Sequence, residues 1–77
     1  MKTTISQMND VTLVSLAGEI DGVGMETARM ALVECVNNRQ VNVVVNMSEV
    51  TFVSFMGVGM LVERLRQFRA MGGDMKL

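Results

Sequence analysis

Few side chains in this sequence are suited to catalysis. The 77 residues include no histidine, which is the commonest general base and metal ligand, so Ser-His-Asp and Cys-His catalysis within the chain are excluded. The one cysteine, Cys35, falls on the apolar stripe of a predicted helix and is interpreted as a small buried hydrophobic residue. These residue types favour a binding module over an enzyme and indicate neither a cofactor nor a metal site.

Two closely spaced glycines, Gly22 and Gly24, are the nearest approach to a phosphate-binding loop. No lysine follows them, and their spacing matches neither the P-loop nor the dinucleotide-binding fingerprint. We therefore predict an ordinary loop connection at this point. The preceding carboxylate, Asp21, is predicted to cap the next helix or to bond the loop. Metal binding by Asp21 has little support, because no second carboxylate is patterned beside it.

Ser54 precedes a second pair of glycines, Gly57 and Gly59, at the predicted start of another helix. Its hydroxyl can act as the helix N-cap by accepting a backbone N–H of the first turn. A phosphate on the same hydroxyl would lie at the positive end of the helix dipole, which favours an anion. Ser54 is therefore a candidate helix cap, a candidate phosphorylation site and a candidate partner contact.

The composition excludes several classes of protein. Hydrophobic residues make up 49% of the chain and charged residues 19%, which excludes an intrinsically disordered segment. A formal net charge of −1 and only three phenylalanines argue against a nucleic-acid-binding surface. The longest apolar run, residues 55–62, is far shorter than the ~20 residues of a membrane span. With its lone cysteine, the sequence predicts a single cytoplasmic domain over residues 1–77.

Hydrophobic periodicity predicts an alternation of strands and helices. The expected elements are strands at 3–8 and 11–16, a helix at 25–36, a strand at 40–47, a helix at 57–71 and the start of a last strand near residue 74. The valines between residues 41 and 45 indicate a central strand buried on both faces, and residues 48–54 are predicted to be a connection. The order β-β-α-β-α-(β) is typical of an α/β fold, with a mixed sheet and helices packed on it.

Three segments match one known protein family in the family's order. Residues 18–21, Gly-Glu-Ile-Asp, follow the second strand. Residues 43–52 contain a hydrophobic strand, an Asn and a short connection, and residues 57–73 contain Gly-Val-Gly, a basic amphipathic helix and Gly-Gly. Together they resemble the STAS family of anti-sigma factor antagonists over essentially the whole chain. The resemblance implies a mixed β-sheet with amphipathic helices packed on one side. The resemblance implies a bacterial regulatory domain that binds an anti-sigma factor, often a histidine-kinase-like serine kinase, and so frees a sigma factor for transcription.

The sequence departs from the family at the phosphorylation site. The family's motif is Asp-Ser-Ser/Thr/Ala-Gly-Leu-Gly, and alignment on its two glycines places the Asp at Ser54 and the phosphorylated Ser at Phe55. Phenylalanine has no hydroxyl that a kinase could modify. Two alternatives follow: Ser54 takes over as the acceptor one residue earlier, or the switch is lost and the domain binds constitutively.

Phe55, Met56 and Met60 are the most informative candidates for partner docking. The two methionines are four residues apart and so share a helix face, which is predicted to point away from the core. An aromatic ring beside flexible thioethers suits an adaptable interface; the alternative is that Phe55 and Met56 fold back as a satellite of the core. The predicted core face of the same helix consists of Val58, Leu61, Val62, Leu65 and Phe68.

The resemblance also implies that the domain is short at its C-terminal end, because the family normally continues past the last strand. The chain would then be a naturally short member, a truncated chain, or one whose missing part a second copy supplies. An exposed sheet edge and an uncovered apolar stripe would favour a homodimer.

The predicted function is regulation by protein binding, without catalysis, nucleic acid or membrane insertion. The expected partner-binding residues are Asp21, Ser54, Phe55, Met56, Gly57 and Met60. Three other functions stay open: a STAS-like subunit that binds a membrane transporter component, a nucleotide-binding regulatory module that holds phosphate at the helix start, and a scaffold in a larger signalling assembly. The absence of lysine and arginine near that helix start weighs against nucleotide binding.

Overall fold

The computed structural model describes residues 1–77 as a four-stranded mixed sheet with two helices packed on one face. The elements are β1 (Lys2–Met8), β2 (Val11–Ile20), α1 (Gly22–Asn37), β3 (Asn42–Val53), α2 (Phe55–Ala70) and β4 (Asp74–Lys76). This arrangement confirms the predicted fold class and the order β-β-α-β-α-β. Neither helix has the length and apolar character that a bilayer crossing requires.

The strand order β1-β2-β3-β4 places two parallel strands at the centre of the sheet. β1 and β2 form an antiparallel hairpin whose turn includes Asn9 in the left-handed conformation, at φ 56°. β2 pairs in parallel with β3, and β3 pairs in parallel with β4. Because parallel strands finish at the same edge of a sheet, Ile20 and Val53 are register partners at the ends of β2 and β3. Both helices begin at this edge, which is therefore where the candidate residues gather.

Side chains alternate between a covered face and an open face of the sheet, as strand geometry requires. Val43 and Val45 are buried beneath the helices, whereas Val44 between them is 36% exposed. The prediction that the valine strand is buried on both faces is therefore wrong, because helices cover only one face. The buried face also includes Thr12, whose hydroxyl donates to Oε1 of Gln7 at 2.8 Å.

The central strands run further than their apolar cores suggested. β2 continues to Ile20, and β3 continues through residues 48–53, which were predicted to be a connection. The two strands stay paired across this extension through two register shifts, one between Ser15 and Ala17 and one between Gly18 and Glu19. Gly18 has a φ of 113°, a conformation that residues with a β-carbon rarely adopt. The strand pairing therefore continues past both irregularities to Ile20 and Val53.

Helix α2 is rotated relative to its predicted apolar face. Its buried residues are Gly57, Met60, Leu61 and Phe68, whereas Val58 is 49% exposed and Val62 is 41% exposed. The physical reason is Gly57, which has no side chain and lies directly against Ile20. The helix therefore turns its glycine side toward the rest of the domain.

The core contains the single cysteine. Cys35 is fully buried on α1 among a cluster of 13 buried hydrophobic residues from both helices and the sheet. Burial raises the pKa of its thiol, and the neighbouring Glu34 carboxylate acts in the same direction. This environment confirms the interpretation of Cys35 as a small hydrophobic residue of the core.

An apolar groove lies between α2 and strands β3 and β4. It has a volume of about 240 Å³ and is lined only by hydrophobic residues, among them Val53, Val62 and Leu77. β4 pairs only with the first three residues of β3, Asn42 to Val44. The rest of β3 has no strand on that edge, and Met47 and Val53 of this unpaired stretch line the groove.

Candidate functional site

Ser54 follows β3 in the chain, forms hydrogen bonds to the end of β2 and lies at the start of α2. Its backbone N–H donates to the Ile20 carbonyl oxygen at 3.1 Å, and its hydroxyl donates to the same oxygen at 3.3 Å. The hydroxyl oxygen also accepts the N–H of Gly57 at 3.0 Å, which makes Ser54 the N-cap of α2. The hydroxyl therefore serves as both donor and acceptor within the protein.

Asp21 holds the start of α1 at the same end of the sheet. The N–H of Gly22 donates to Oδ1 of Asp21 at 3.0 Å, and the Asp21 backbone is extended, as expected for an N-cap. The helix begins at Gly22, so the predicted glycine loop at residues 22–24 and the helix start near Met25 are wrong. Asp21 follows Ile20 directly, and the Ile20–Ser54 contact brings both helix caps to one corner.

Phe55 and Met56 project into solvent from the first turn of α2. Phe55 is 98% exposed and Met56 is 74% exposed. The alternative in which they fold back as a satellite of the core is therefore wrong. A phenyl ring left almost fully in water costs hydrophobic free energy unless another molecule covers it.

Met60 does not share this exposure. It is only 8% exposed and belongs to the core cluster, so the prediction that it lies on a face turned away from the core is wrong. Met56 lies one turn nearer the start of the helix, where no other element covers it. Of the predicted docking residues, Phe55 and Met56 present side chains, Asp21 and Ser54 cap the helices, and Gly57 and Met60 pack beneath them.

The structure adds two exposed apolar residues that the sequence reasoning missed. Val23 is 85% exposed in the first turn of α1, and Phe52 is 51% exposed at the end of β3, opposite Glu19 in the register. The sequence does carry a signal for these two exposed residues. Val23 is an apolar residue close to the helix cap Asp21, and Phe52 is an apolar residue close to the end of β3. We call the set Val23, Phe52, Phe55 and Met56 the corner surface.

Acidic residues lie near the corner surface: Glu19 is the register partner of Phe52, and Asp21 is two residues before Val23. Glu19 and Asp21 are exposed and form no ion pair, whereas Glu26 on α1 pairs with Arg29. The hydrogen bonds from Arg29 lower the pKa of Glu26, and its charge adds to this effect. No group of three or more histidine, cysteine or carboxylate side chains converges to hold a metal ion. The exposed apolar side chains of the corner surface are suited to binding another molecule.

Comparison with known proteins agrees with this geometry. Residues 2–77 match the family model of the STAS domain. The unphosphorylated anti-sigma factor antagonist SpoIIAA superposes with a TM-score of 0.77 at 20% identity, covering 96% of this chain and 69% of that one. The phosphorylated form of the Bacillus cell fate determinant SpoIIAA gives a TM-score of 0.79 at 20% identity, with 99% and 70% covered.

A third solved structure is similar at slightly higher identity. An anti-sigma factor antagonist from Mycobacterium paratuberculosis has a TM-score of 0.78 at 26% identity, with 84% of this chain and 56% of that chain covered. The chain therefore spans between about half and 70% of the length of these structures.

Proposed function

We propose that this chain, which belongs to the STAS domain family, is a regulatory protein that docks on an anti-sigma factor through its corner surface. Occupation of the anti-sigma factor would leave a sigma factor free. The observation that carries the proposal is the 98% exposure of Phe55 in the first turn of α2. The fold likeness to anti-sigma factor antagonists supports the choice of partner class.

Phe55 and Met56 are well suited to provide most of the binding free energy. Aromatic anchors often dominate the energetics of protein interfaces, and a methionine thioether adapts to irregular partner surfaces. Asp21, Ser54, Gly57 and Met60 would act by positioning this turn, since they cap or pack against the elements that carry it.

We further propose that docking is constitutive. Phe55 occupies the position at which the family has its phosphorylated serine, and a phenyl ring accepts no phosphate. Ser54 is a poor substitute, because its hydroxyl already donates to Ile20 and accepts from Gly57. Phosphorylation there would break the bond to Ile20 and disturb the cap of α2.

The test is calorimetric titration of the chain into the purified anti-sigma factor from the same organism. We expect Phe55→Asp to weaken binding about a hundredfold or more, because it replaces an interface anchor with a charge. The matched control is Met30→Asp, which changes a 61% exposed methionine on α1 outside the corner. Native-like circular dichroism with unchanged affinity for Phe55→Asp would contradict the proposal.

A separate phosphorylation assay tests whether docking is constitutive. The wild type and Ser54→Ala would each be incubated with the anti-sigma factor and ATP, and their masses recorded. We expect neither protein to gain a phosphate. A phosphate on the wild type that Ser54→Ala lacks would show that the acceptor has moved by one residue.

The missing phospho-acceptor also favours a second candidate function. A STAS-like subunit of a membrane transporter would need no serine switch at this position, and the same corner surface could contact the transporter component. Binding to an adjacently encoded permease or transporter ATPase, with none to the anti-sigma factor, would favour this candidate.

A further inference from the structure

We propose that Met56 is an oxidation site and that a sulfoxide at this position weakens docking at the corner surface. The inference rests on the proposed function, since it concerns how the same surface is regulated. Met56 adjoins Phe55 in the first turn of α2 and is 74% exposed. Its thioether is therefore open to a reagent from solvent at the point where the partner would bind.

The nine methionines differ sharply in exposure, and this difference predicts selective reaction. Met60 and Met75 are 8% and 6% exposed within the core. The most exposed methionines are Met56 at 74%, Met8 at 63% and Met30 at 61%. Met8 lies at the hairpin turn and Met30 in the middle of α1, so Met56 is the strongly exposed methionine of the corner surface.

The chemistry requires only a hydroperoxide. A lone pair of the Met56 sulfur forms a bond to one peroxide oxygen while the O–O bond breaks. The proton on the transferred oxygen passes to the departing oxygen, which leaves as water or an alcohol. The sulfur loses two electrons to give the sulfoxide, and the hydroperoxide gains them. Methionine sulfoxide reductases reverse the change, so the modification can act as a switch.

The sulfoxide would oppose binding because it adds a polar oxygen to a surface that must lose water on docking. No lysine or arginine occurs between residues 40 and 63, so the neighbouring sequence offers no cation to pair with that oxygen. The change in polarity would lie one residue from Phe55, the position of the family's phosphoserine. Oxidation of Met56 would thus regulate the corner surface, which phosphorylation at position 55 cannot do.

The experiment compares partner affinity before and after mild treatment with hydrogen peroxide, and peptide mass analysis locates the oxygen. Three proteins are needed: the wild type, Met56→Leu, which keeps a similar volume but cannot form a sulfoxide, and Met30→Leu as the control. We expect the wild type and Met30→Leu to lose about tenfold or more in affinity, and reductase to restore it. For Met56→Leu, the affinities before and after treatment should agree within about twofold.

Two results would overturn the inference. One is oxidation of Met56 no faster than that of the buried Met60 and Met75. The other is an equal loss of affinity in Met56→Leu, which would place the sensitive group elsewhere. Failure of the untreated wild type to bind the anti-sigma factor would instead reject the proposed function, and this inference with it.

Discussion

Gly57 lies so close to Ile20 that a β-carbon at position 57 would be 2.7 Å from the Ile20 carbonyl oxygen and 2.9 Å from the Ile20 Cγ2 atom. The same carbonyl oxygen accepts two hydrogen bonds from Ser54. The first turn of α2 is therefore held against the end of β2 in two ways. Gly57 has no side chain to keep the backbones apart, and the Ile20 carbonyl oxygen accepts two hydrogen bonds from Ser54. This contact sets where Phe55 and Met56 project.

The glycine contact predicts opposite effects at two neighbouring glycines of α2. We expect Gly57→Ala to lower the free energy of unfolding by about 1–3 kcal/mol, because the new methyl group must displace backbone atoms. Gly59→Ala should raise it by up to about 1 kcal/mol, because a β-carbon there meets nothing within 4 Å and alanine favours the helix. Urea denaturation measures both, and destabilisation of equal size would argue against a special role for Gly57.

The helix cap predicts a cost for removing the Ser54 hydroxyl. Ser54→Ala should destabilise the protein by about 1–2 kcal/mol, because the Gly57 N–H loses its acceptor and the Ile20 carbonyl loses one of two donors. Ser48→Ala, at an exposed serine of β3, serves as control and should change stability by less than about 0.5 kcal/mol. Faster amide exchange of Gly57 in Ser54→Ala alone would confirm the assignment, whereas equal stabilities of the two variants would refute it.

Two phenylalanines on the same helix should differ in their importance for stability. Phe55 is 98% exposed, so Phe55→Ala should change the free energy of unfolding by less than about 0.5 kcal/mol. Phe68 is fully buried, so Phe68→Ala should cost about 3–5 kcal/mol. Thermal and chemical denaturation provide the comparison. A large loss from Phe55→Ala would mean that its ring stabilises the fold itself.

An ion pair near β4 predicts a specific dependence of stability on pH. Arg69 Nε donates to Asp74 Oδ1 at 3.1 Å, and this bond, with a second from the Met75 N–H, lowers the pKa of Asp74. Since the folded pKa is below the unfolded value of about 4, the stabilisation is complete above that value. It is lost as the pH falls through the lower, folded pKa.

The variant Asp74→Asn should therefore weaken the dependence of the Tm on pH below about 4. Arg69→Gln removes the largest cause of the shift but keeps the Met75 N–H bond, so its acid dependence should lie between those of the wild type and Asp74→Asn. Melting curves across the acid range would show this order. Identical curves for all three proteins would contradict the assignment.

Local patterns in the sequence predicted the elements well but not their ends. A run of valines identified β3, yet its second half, residues 48–53, was predicted to be a connection. Ser48 and Glu49 interrupt the apolar run, and pairing with β2 holds the segment as strand. The start of α1 was missed for a similar reason. Gly22 and Gly24 resemble a loop in composition, but Asp21 already caps the helix at Gly22.

The candidate site was predictable where it depended on the local chain and not where it depended on packing. The N-cap role of Ser54 follows from its position before a helix, and the structure confirms it. The burial of Met60 follows from the close approach of Gly57 to Ile20, a contact between residues far apart in the sequence. The pattern of apolar residues within α2 alone does not determine which face of the helix turns toward the core.

The buried position of Cys35 has a practical consequence. A thiol reagent reaches this sulfur only when the core opens, because the side chain has no exposed surface in the folded state. As the chain contains no other cysteine, the labelling rate reports a single opening event without any engineered probe. Slower labelling in the presence of a partner would measure how strongly docking at the corner restrains fluctuations of the whole domain.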